Sequence, residues 1–86
     1  MNQVVEGQVA VLAFAAYADR LGWRRHALPV APGDTVAHVV DRCRALSGGD
    51  ILPTAPLVAR NARFVSLAEP VAAGDEIALM PPVAGG

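Results

Sequence analysis

The first apolar segment of the chain runs almost without interruption from Gln8 to Phe14. Such a run is typical of a strand covered on both faces, so we predict a central β-strand here. Ala15 to Leu21 is alanine-rich, and Gly22 is placed to end a short helix in the left-handed conformation. Arg24 to Val30 predicts a second strand. It contains Pro29, which cannot donate to a sheet ladder and therefore indicates an edge.

The clearest helical pattern begins at Thr35, where either Asp34 or Thr35 can cap the N-terminus. Residues 47–49, Ser-Gly-Gly, are placed to end the helix. The opposite side carries His38, Asp41, Arg42 and Ala45, so we interpret His38 as a solvent residue without a catalytic role. The apolar positions recur at the spacing of one helix face, and they are Val36, Val39, Val40, Cys43 and Leu46.

The second half of the chain alternates short strands with turns. Residues 50–56 contain two prolines and predict a loop, and residues 57–60 predict a strand. Residues 61–63 suit a turn into a further strand at 64–66. Residues 73–76 predict a tight turn before the last strand, Ile77 to Met80.

The predicted order is strand, short helix, strand, long helix, and two or three short strands. This order favours an α+β domain in which one main helix packs across a mixed sheet, the β-grasp fold. The first and last strands are the most continuously apolar, so we place them side by side at the sheet centre. We expect a single domain over residues 1–80 and an extended tail over residues 81–86.

The amino-acid composition limits the kinds of function that this chain can have. The 86 residues are 53% hydrophobic and 17% charged with a net charge of −1, which suits a folded domain and argues against nucleic acid as a partner. All seven basic residues are arginine, so the chain has no lysine side chain that could accept an isopeptide bond. Its single cysteine cannot form an internal disulfide, and the N-terminus has no long apolar segment. We therefore expect a cytoplasmic protein that neither spans a membrane nor binds a metal.

Familiar catalytic motifs are absent from the sequence. It has no phosphate-binding loop, no His-Glu-x-x-His, and no plausible Ser/His/Asp set. Cys43 lies within the apolar stripe of the long helix and is interpreted as a core residue. His26 is interpreted as a solvated edge-strand residue, and Asp75 and Glu76 as solvated turn residues. We therefore expect no catalytic side chains in this chain.

The last six residues are the most distinctive stretch. Pro81 and Pro82 fix φ and lack N–H groups, so they predict a stiff, extended stem. Gly85 and Gly86 have no Cβ, which would let the tip enter a narrow channel in another protein. The chemistry available there is that of the α-carboxylate, which reacts only after a partner activates it. The alternative interpretation is a frayed, glycine-rich terminus.

Asn61 to Ser66, Pro70, Gly74 to Ala78 and Pro81 to Gly86 together resemble the small subunit of molybdopterin synthase, a family of ubiquitin-like sulfur carriers. Thr35-Val36 and the run from Val9 to Ala15 also match. The Gly-Asp-Glu and Pro-Pro-Val-x-Gly-Gly motifs are the specific part. Two stretches depart from the family pattern: Ala18 to Gly22 replaces Arg-Glu-Leu-x-Gly, and Leu79-Met80 replaces a pair of aromatic residues.

The resemblance implies a sulfur carrier with no bound cofactor. An activating enzyme would use ATP to adenylate the carboxylate of Gly86, which would then become a thiocarboxylate. The large synthase subunit, in a heterotetramer, would receive the tail and transfer the sulfur to cyclic pyranopterin monophosphate. The tail residues expected in the partner's channel are Pro81, Pro82, Val83 and Gly85.

We also hypothesise a docking patch on the sheet near the tail, for which Phe14, Leu79 and Met80 are the candidates. The alternative is that these positions belong to the core. Three other functions fit the sequence. The chain could carry sulfur for thiamin thiazole, cysteine or tRNA thiolation, because the tail chemistry would be identical. It could be a ubiquitin-like protein modifier, or an interaction domain whose tail has no chemistry.

Overall fold

The computed structural model describes residues 7–82. The helices and strands within this range, in chain order, are β1 (Gln8–Ala13), α1 (Ala15–Leu21), β2 (Arg25–Pro29), α2 (Val36–Arg44), a 3-10 helix (Gly49–Ile51), β3 (Leu57–Arg60), β4 (Arg63–Val65) and β5 (Glu76–Met80).

The five described strands form one mixed sheet in the order β2-β1-β5-β3-β4. β5 lies parallel to β1 on one side and antiparallel to β3 on the other. The prediction that the first and last strands lie side by side at the sheet centre is therefore confirmed. β2 is an edge strand, as the proline in its sequence predicts. This is the β-grasp arrangement, in which one main helix covers one face of the sheet.

The core lies between α2 and the covered face of the sheet. Every second residue of the central strands points into it, and burying an aliphatic side chain of this size stabilises a fold by about 1.5–3 kcal/mol. Cys43 is fully buried in the same cluster, as predicted. The fully buried residues contributed by α2, β1, β3 and β5 are Val36, Val39, Val40, Cys43, Val9, Val11, Val58, Ile77 and Leu79.

The N-terminus of α2 is capped by Thr35, one of the two predicted caps. The Thr35 hydroxyl and the His38 side chain form a reciprocal capping box, in which the Thr35 N–H donates to His38 Nδ1 at 2.9 Å. A histidine thus performs the role that Glu or Gln usually has at this position. His38 is exposed as predicted, but its side chain also helps to fix the start of the helix.

Asp34 and Arg42 form an ion pair across the start of α2, with Arg42 Nη1 donating to Asp34 Oδ2 at 2.7 Å. Arg42 thus lies on the polar side of the helix, as the pattern predicts, and also has a structural partner there. The pKa of the Asp34 carboxyl is lowered, mainly by the hydrogen bond from Arg42 and next by the hydrogen bond from the Ala31 amide. Together they outweigh partial burial, which would raise this pKa.

The glycines at residues 48 and 49 have a different role from the predicted one. α2 already ends at Arg44, before either glycine. A Cβ on Gly48 would overlap the carbonyl group of Arg20 in α1, and a Cβ on Gly49 would overlap the carbonyl of Cys43. The two glycines therefore allow the segment after α2 to approach both helices closely.

Candidate functional site

The tail begins at the end of the central strand. β5 ends at Met80, after which Pro81 is half-buried and Pro82 is exposed, and neither belongs to a strand. Because β5 is paired on both sides, its end is held at the middle of the sheet beside the end of β1. The predicted roles of Val83, Gly85 and Gly86 lie outside the described residues and stay predictions.

The start of β5 is fixed by a buried carboxylate. Asp75 accepts hydrogen bonds from Arg60 Nε at 2.7 Å, Asn61 Nδ2 at 3.0 Å and the Ala72 amide at 2.7 Å. Asp75 is therefore not the solvated turn residue that the sequence predicts, because three donors from two segments surround it. Glu76, the next residue, is exposed as expected.

These contacts also set the ionisation of Asp75. Burial alone would raise the pKa of its carboxyl, but the hydrogen bonds from Arg60, Asn61 and Ala72 outweigh burial and hold the pKa below its ordinary value. Arg60 also donates to Glu69 at 3.0 Å. This cluster joins the β3–β4 turn to the beginning of the strand that carries the tail.

The face of the sheet opposite α2 is apolar near the tail. Cross-strand pairing places Leu57 opposite Met80, and Ala59 opposite both Ala78 and Phe64. Leu12 lies beside Ala78, and Phe14 follows Leu12 by two positions in extended backbone, so both side chains share this face. We call this surface the open face, and its residues are Leu12, Phe14, Leu57, Ala59, Phe64, Ala78 and Met80.

Three large side chains of the open face are strongly exposed. Phe14 is 42% exposed, Leu57 is 49% exposed and Phe64 is 65% exposed. Ala59 and Ala78 lie between the larger side chains, and because their own side chains are small, the centre of the open face is shallowly concave. Clustered exposed apolar residues of this kind mark an interaction surface more often than single ones do.

The predicted docking patch is corrected at one position. Leu79 is 0% exposed, because it pairs with Ala13 and Val58 on the covered face and belongs to the core. Phe14 and Met80 do lie on the open face, and their role in docking stays a prediction. Sequence analysis missed Leu57 and Phe64, because strand alternation leads from Met80 to these residues only when the β3–β5 and β3–β4 registers are known.

An ion pair marks the polar border of the open face. Arg25 on β2 lies beside Leu12, and Glu76 on β5 lies beside Ala10, with 3.4 Å between Arg25 Nη1 and Glu76 Oε2. Both side chains are about half exposed, so the pair contributes little to stability. It limits the apolar surface on the side away from the tail.

The described residues offer little else for chemistry. Burial raises the pKa of the Cys43 thiol to about 12, so the thiol stays protonated at neutral pH. His26 is half-buried and stacks on Trp23, with 4.9 Å between ring centroids, so it is less solvated than the sequence predicts. No group of three or more His, Cys, Asp or Glu residues within 7–82 is placed to hold a metal ion. Neither helix in that range has the length and apolarity that a bilayer span requires.

Comparison with known proteins gives one family match. The model of the ThiS family matches residues 11–86, which is most of the chain. No curated protein is similar enough in sequence to count as a match.

Solved structures give several close matches in fold. SAMP1 from Haloferax volcanii is 32% identical with a TM-score of 0.79, covering 93% of this chain and 100% of its own. A putative molybdopterin converting factor subunit 1 from Pyrococcus furiosus is 20% identical with a TM-score of 0.76, covering 88% and 98%. A complex of subunits 1 and 2 of the molybdopterin-converting factor from Helicobacter pylori 26695 contains a chain that is 21% identical, with a TM-score of 0.68 and coverage of 92% and 99%.

Proposed function

The chain belongs to the ThiS family, and from this premise we propose that it is the sulfur carrier of molybdopterin synthase, with the sulfur held as a thiocarboxylate on Gly86. The observation that carries the proposal is the continuity of the open face with the base of the tail. A partner that covers the exposed apolar side chains would also receive the chain that leaves β5. The resemblance of the Pro-Pro-Val-x-Gly-Gly ending to molybdopterin synthase small subunits supports this pathway over other sulfur pathways.

The proposed chemistry takes place at the terminal carboxylate. The ionised carboxylate is a poor electrophile, so the activating enzyme joins it to the α-phosphate of ATP and releases pyrophosphate. A donor that supplies sulfur at the oxidation level of sulfide then attacks the acyl carbon of the adenylate. The bond from that carbon to the phosphate oxygen breaks, AMP leaves, and the thiocarboxylate remains on Gly86. Pro81 and Pro82 keep the stem extended, and Gly85 lets it pass through a narrow channel.

In the synthase, the large subunit supplies the acid and base groups and binds cyclic pyranopterin monophosphate. The carrier contributes the sulfur and a rigid platform. The open face docks on that subunit, and the central position of β5 holds the start of the tail in one place relative to the docked surface. The docking of the open face and the delivery of the sulfur therefore both depend on β5.

The carrier chemistry is tested by intact-mass analysis. Coexpression with an activating enzyme and a sulfur source should give a species in which one oxygen is replaced by sulfur, with the change mapped to Gly86. A variant without Gly86 should keep the fold and gain no sulfur. Retention of oxygen in the native chain under conditions that load a known carrier would contradict the proposal.

The pathway is tested by complementation. The chain, expressed with its own large subunit, should restore molybdoenzyme activity in a strain that lacks the small synthase subunit. The variant without Gly86 should restore none. Selective binding to a partner of thiazole or cysteine synthesis, with no restoration, would assign the chain to another sulfur pathway.

A second candidate function is protein modification. It is favoured by the 32% identity to SAMP1, the small archaeal modifier protein 1 of Haloferax volcanii, because this identity exceeds the identity to both molybdopterin converting factor chains. A modifier would appear in cell extracts as a ladder of adducts linked through Gly86 to lysines of other proteins. Sulfur loading of the chain without such a ladder would contradict protein modification and support the carrier function.

A further inference from the structure

A recess of about 280 Å³ lies beside the base of the tail. It is formed where β1 ends, α1 begins and the chain approaches β2, and the Ala13 amide donates to the Arg24 carbonyl along one side of it. Residues that line it include Leu12, Phe14, Ala15, Ala18, Asp19 and Arg24.

The lining combines an apolar floor with two charged groups. Ala15 and Ala18 have small side chains, which leaves the space between them and Phe14 unfilled. Asp19 and Arg24 are exposed, and within residues 7–82 neither side chain makes a hydrogen bond or an ion pair. In the part of the chain that the structure describes, the recess therefore presents an unpaired acceptor and an unpaired cation at the border of an apolar hollow.

The recess is continuous with the open face. Leu12 and Phe14 line both surfaces. Ala13, between them, pairs with Leu79, the residue before Met80. A protein that covers the open face and takes up the tail would consequently lie across the opening of the recess.

We propose that this recess binds an aromatic side chain with a polar tip, tyrosine or tryptophan, from the large subunit of molybdopterin synthase. An apolar cavity of about 150 Å³ can hold benzene, so the recess has room for such a ring. Asp19 accepts a hydrogen bond from the hydroxyl or indole N–H, and Arg24 contacts the ring face. Buried tyrosine and tryptophan are frequent anchors of protein interfaces. This inference depends on the proposed function, because it takes the large subunit as the partner.

The test fills the recess without changing charge. Ala18→Leu places a larger side chain in the hollow, and Ala16→Leu adds the same side chain at an exposed position of α1 outside the recess. We expect Ala18→Leu to weaken binding of the recombinant large subunit at least tenfold in isothermal titration calorimetry. Ala16→Leu should bind like the native chain. The thermal unfolding midpoint of each variant shows whether its fold is intact.

Native-like affinity of a folded Ala18→Leu variant would overturn the inference. If that variant does not fold, Arg24→Gln replaces it, because this exposed side chain lies outside the core, and unchanged affinity would then overturn the inference. A different result would contradict the proposed function, namely that the native chain itself does not bind the large subunit. Native binding that Phe64→Asp abolishes and Ala18→Leu does not affect would reject the recess alone.

Discussion

At the scale of single residues, the least expected feature is the network around Asp75. A carboxylate that follows glycine in a turn resembles a solvated residue, and nothing local in the sequence distinguishes it from Glu76. The Ala72 amide is a local donor, but both side-chain donors, Arg60 and Asn61, are more than ten positions away in the chain. Burial of Asp75 follows from the fold and could not be predicted from its neighbours.

The adjacent residues Asp75 and Glu76 form a matched pair for mutation. Asp75→Asn removes the charge that Arg60 and Asn61 contact, and we expect the free energy of unfolding to fall by about 1–3 kcal/mol. Glu76→Gln, at an exposed position with a long ion pair, should change it by about 0.5 kcal/mol or less. Urea denaturation of both variants measures the difference, and equal effects would show that Asp75 is not a stabilising contact.

The same carboxylate predicts an acid dependence of stability. The pKa of Asp75 is lowered in the folded state, so its stabilising contribution is complete above the ordinary aspartate pKa of about 3.9 and is lost as the pH falls through the folded-state pKa. The stability difference between the native chain and Asp75→Asn should therefore be constant near neutral pH and shrink below about pH 4. The lowered pKa of Asp34 leaves an acid dependence in the variant as well. A difference that grew on acidification would contradict the sign of this argument.

At the scale of helices and strands, hydrophobic periodicity predicted most of the architecture. The bounds of α1 and β3 were predicted to the residue, because Gly22 and the two prolines before β3 define them locally. α2 is shorter than predicted, since the chain leaves helical geometry before Leu46, which still packs against the core from the turn. The close approach of α1 to the segment after α2 depends on contacts between distant residues, which periodicity does not encode.

That close approach can be tested at two glycines with similar backbone conformation. Gly48 has φ of 78° and Gly33 has φ of 91°, but only at Gly48 would a Cβ overlap another backbone group. Gly33→Ala should cost about 1 kcal/mol from backbone strain. Gly48→Ala should cost clearly more, about 2 kcal/mol or above, because the Arg20 carbonyl must move. Thermal and urea unfolding measure both, and equal losses would argue against tight packing at Gly48.

The turn between β3 and β4 predicts a stabilising change. Asn61 and Ala62 have φ of 49° and 72°, which is the conformation of a two-residue hairpin turn that favours Asn-Gly. Ala62→Gly should raise the free energy of unfolding by about 0.5–1 kcal/mol, because glycine adopts this conformation without strain. Ala55→Gly, at an exposed loop residue without positive φ, should not stabilise. A loss of stability in Ala62→Gly would show that flexibility of the unfolded chain outweighs the strain.

At the scale of the whole molecule, the sheet has two faces with different tasks. One face builds the core under α2, and the other presents exposed apolar side chains up to the base of the tail. Strand alternation puts the consecutive residues Leu79 and Met80 on opposite faces, but it does not say which face is covered, and both were placed in the docking patch. Leu57 and Phe64 were missed because the sequence alone did not determine which strands are neighbours. The tail motif could be recognised without a structure, since it is a run of consecutive residues.

The division between the two faces predicts that docking can be lost without loss of the fold. Phe64 is 65% exposed on β4, so Phe64→Asp should leave the free energy of unfolding within about 0.5 kcal/mol of the native value. It should nevertheless weaken large-subunit binding at least tenfold, because a charge would be buried against an apolar partner surface without a counterion. Ser47→Asp, exposed in the turn after α2, introduces the same charge away from the open face and should bind normally. Binding measured by calorimetry, beside urea denaturation, separates the two effects. If Ser47→Asp weakens binding as much as Phe64→Asp does, the added charge is the cause and the open face is not the docking surface.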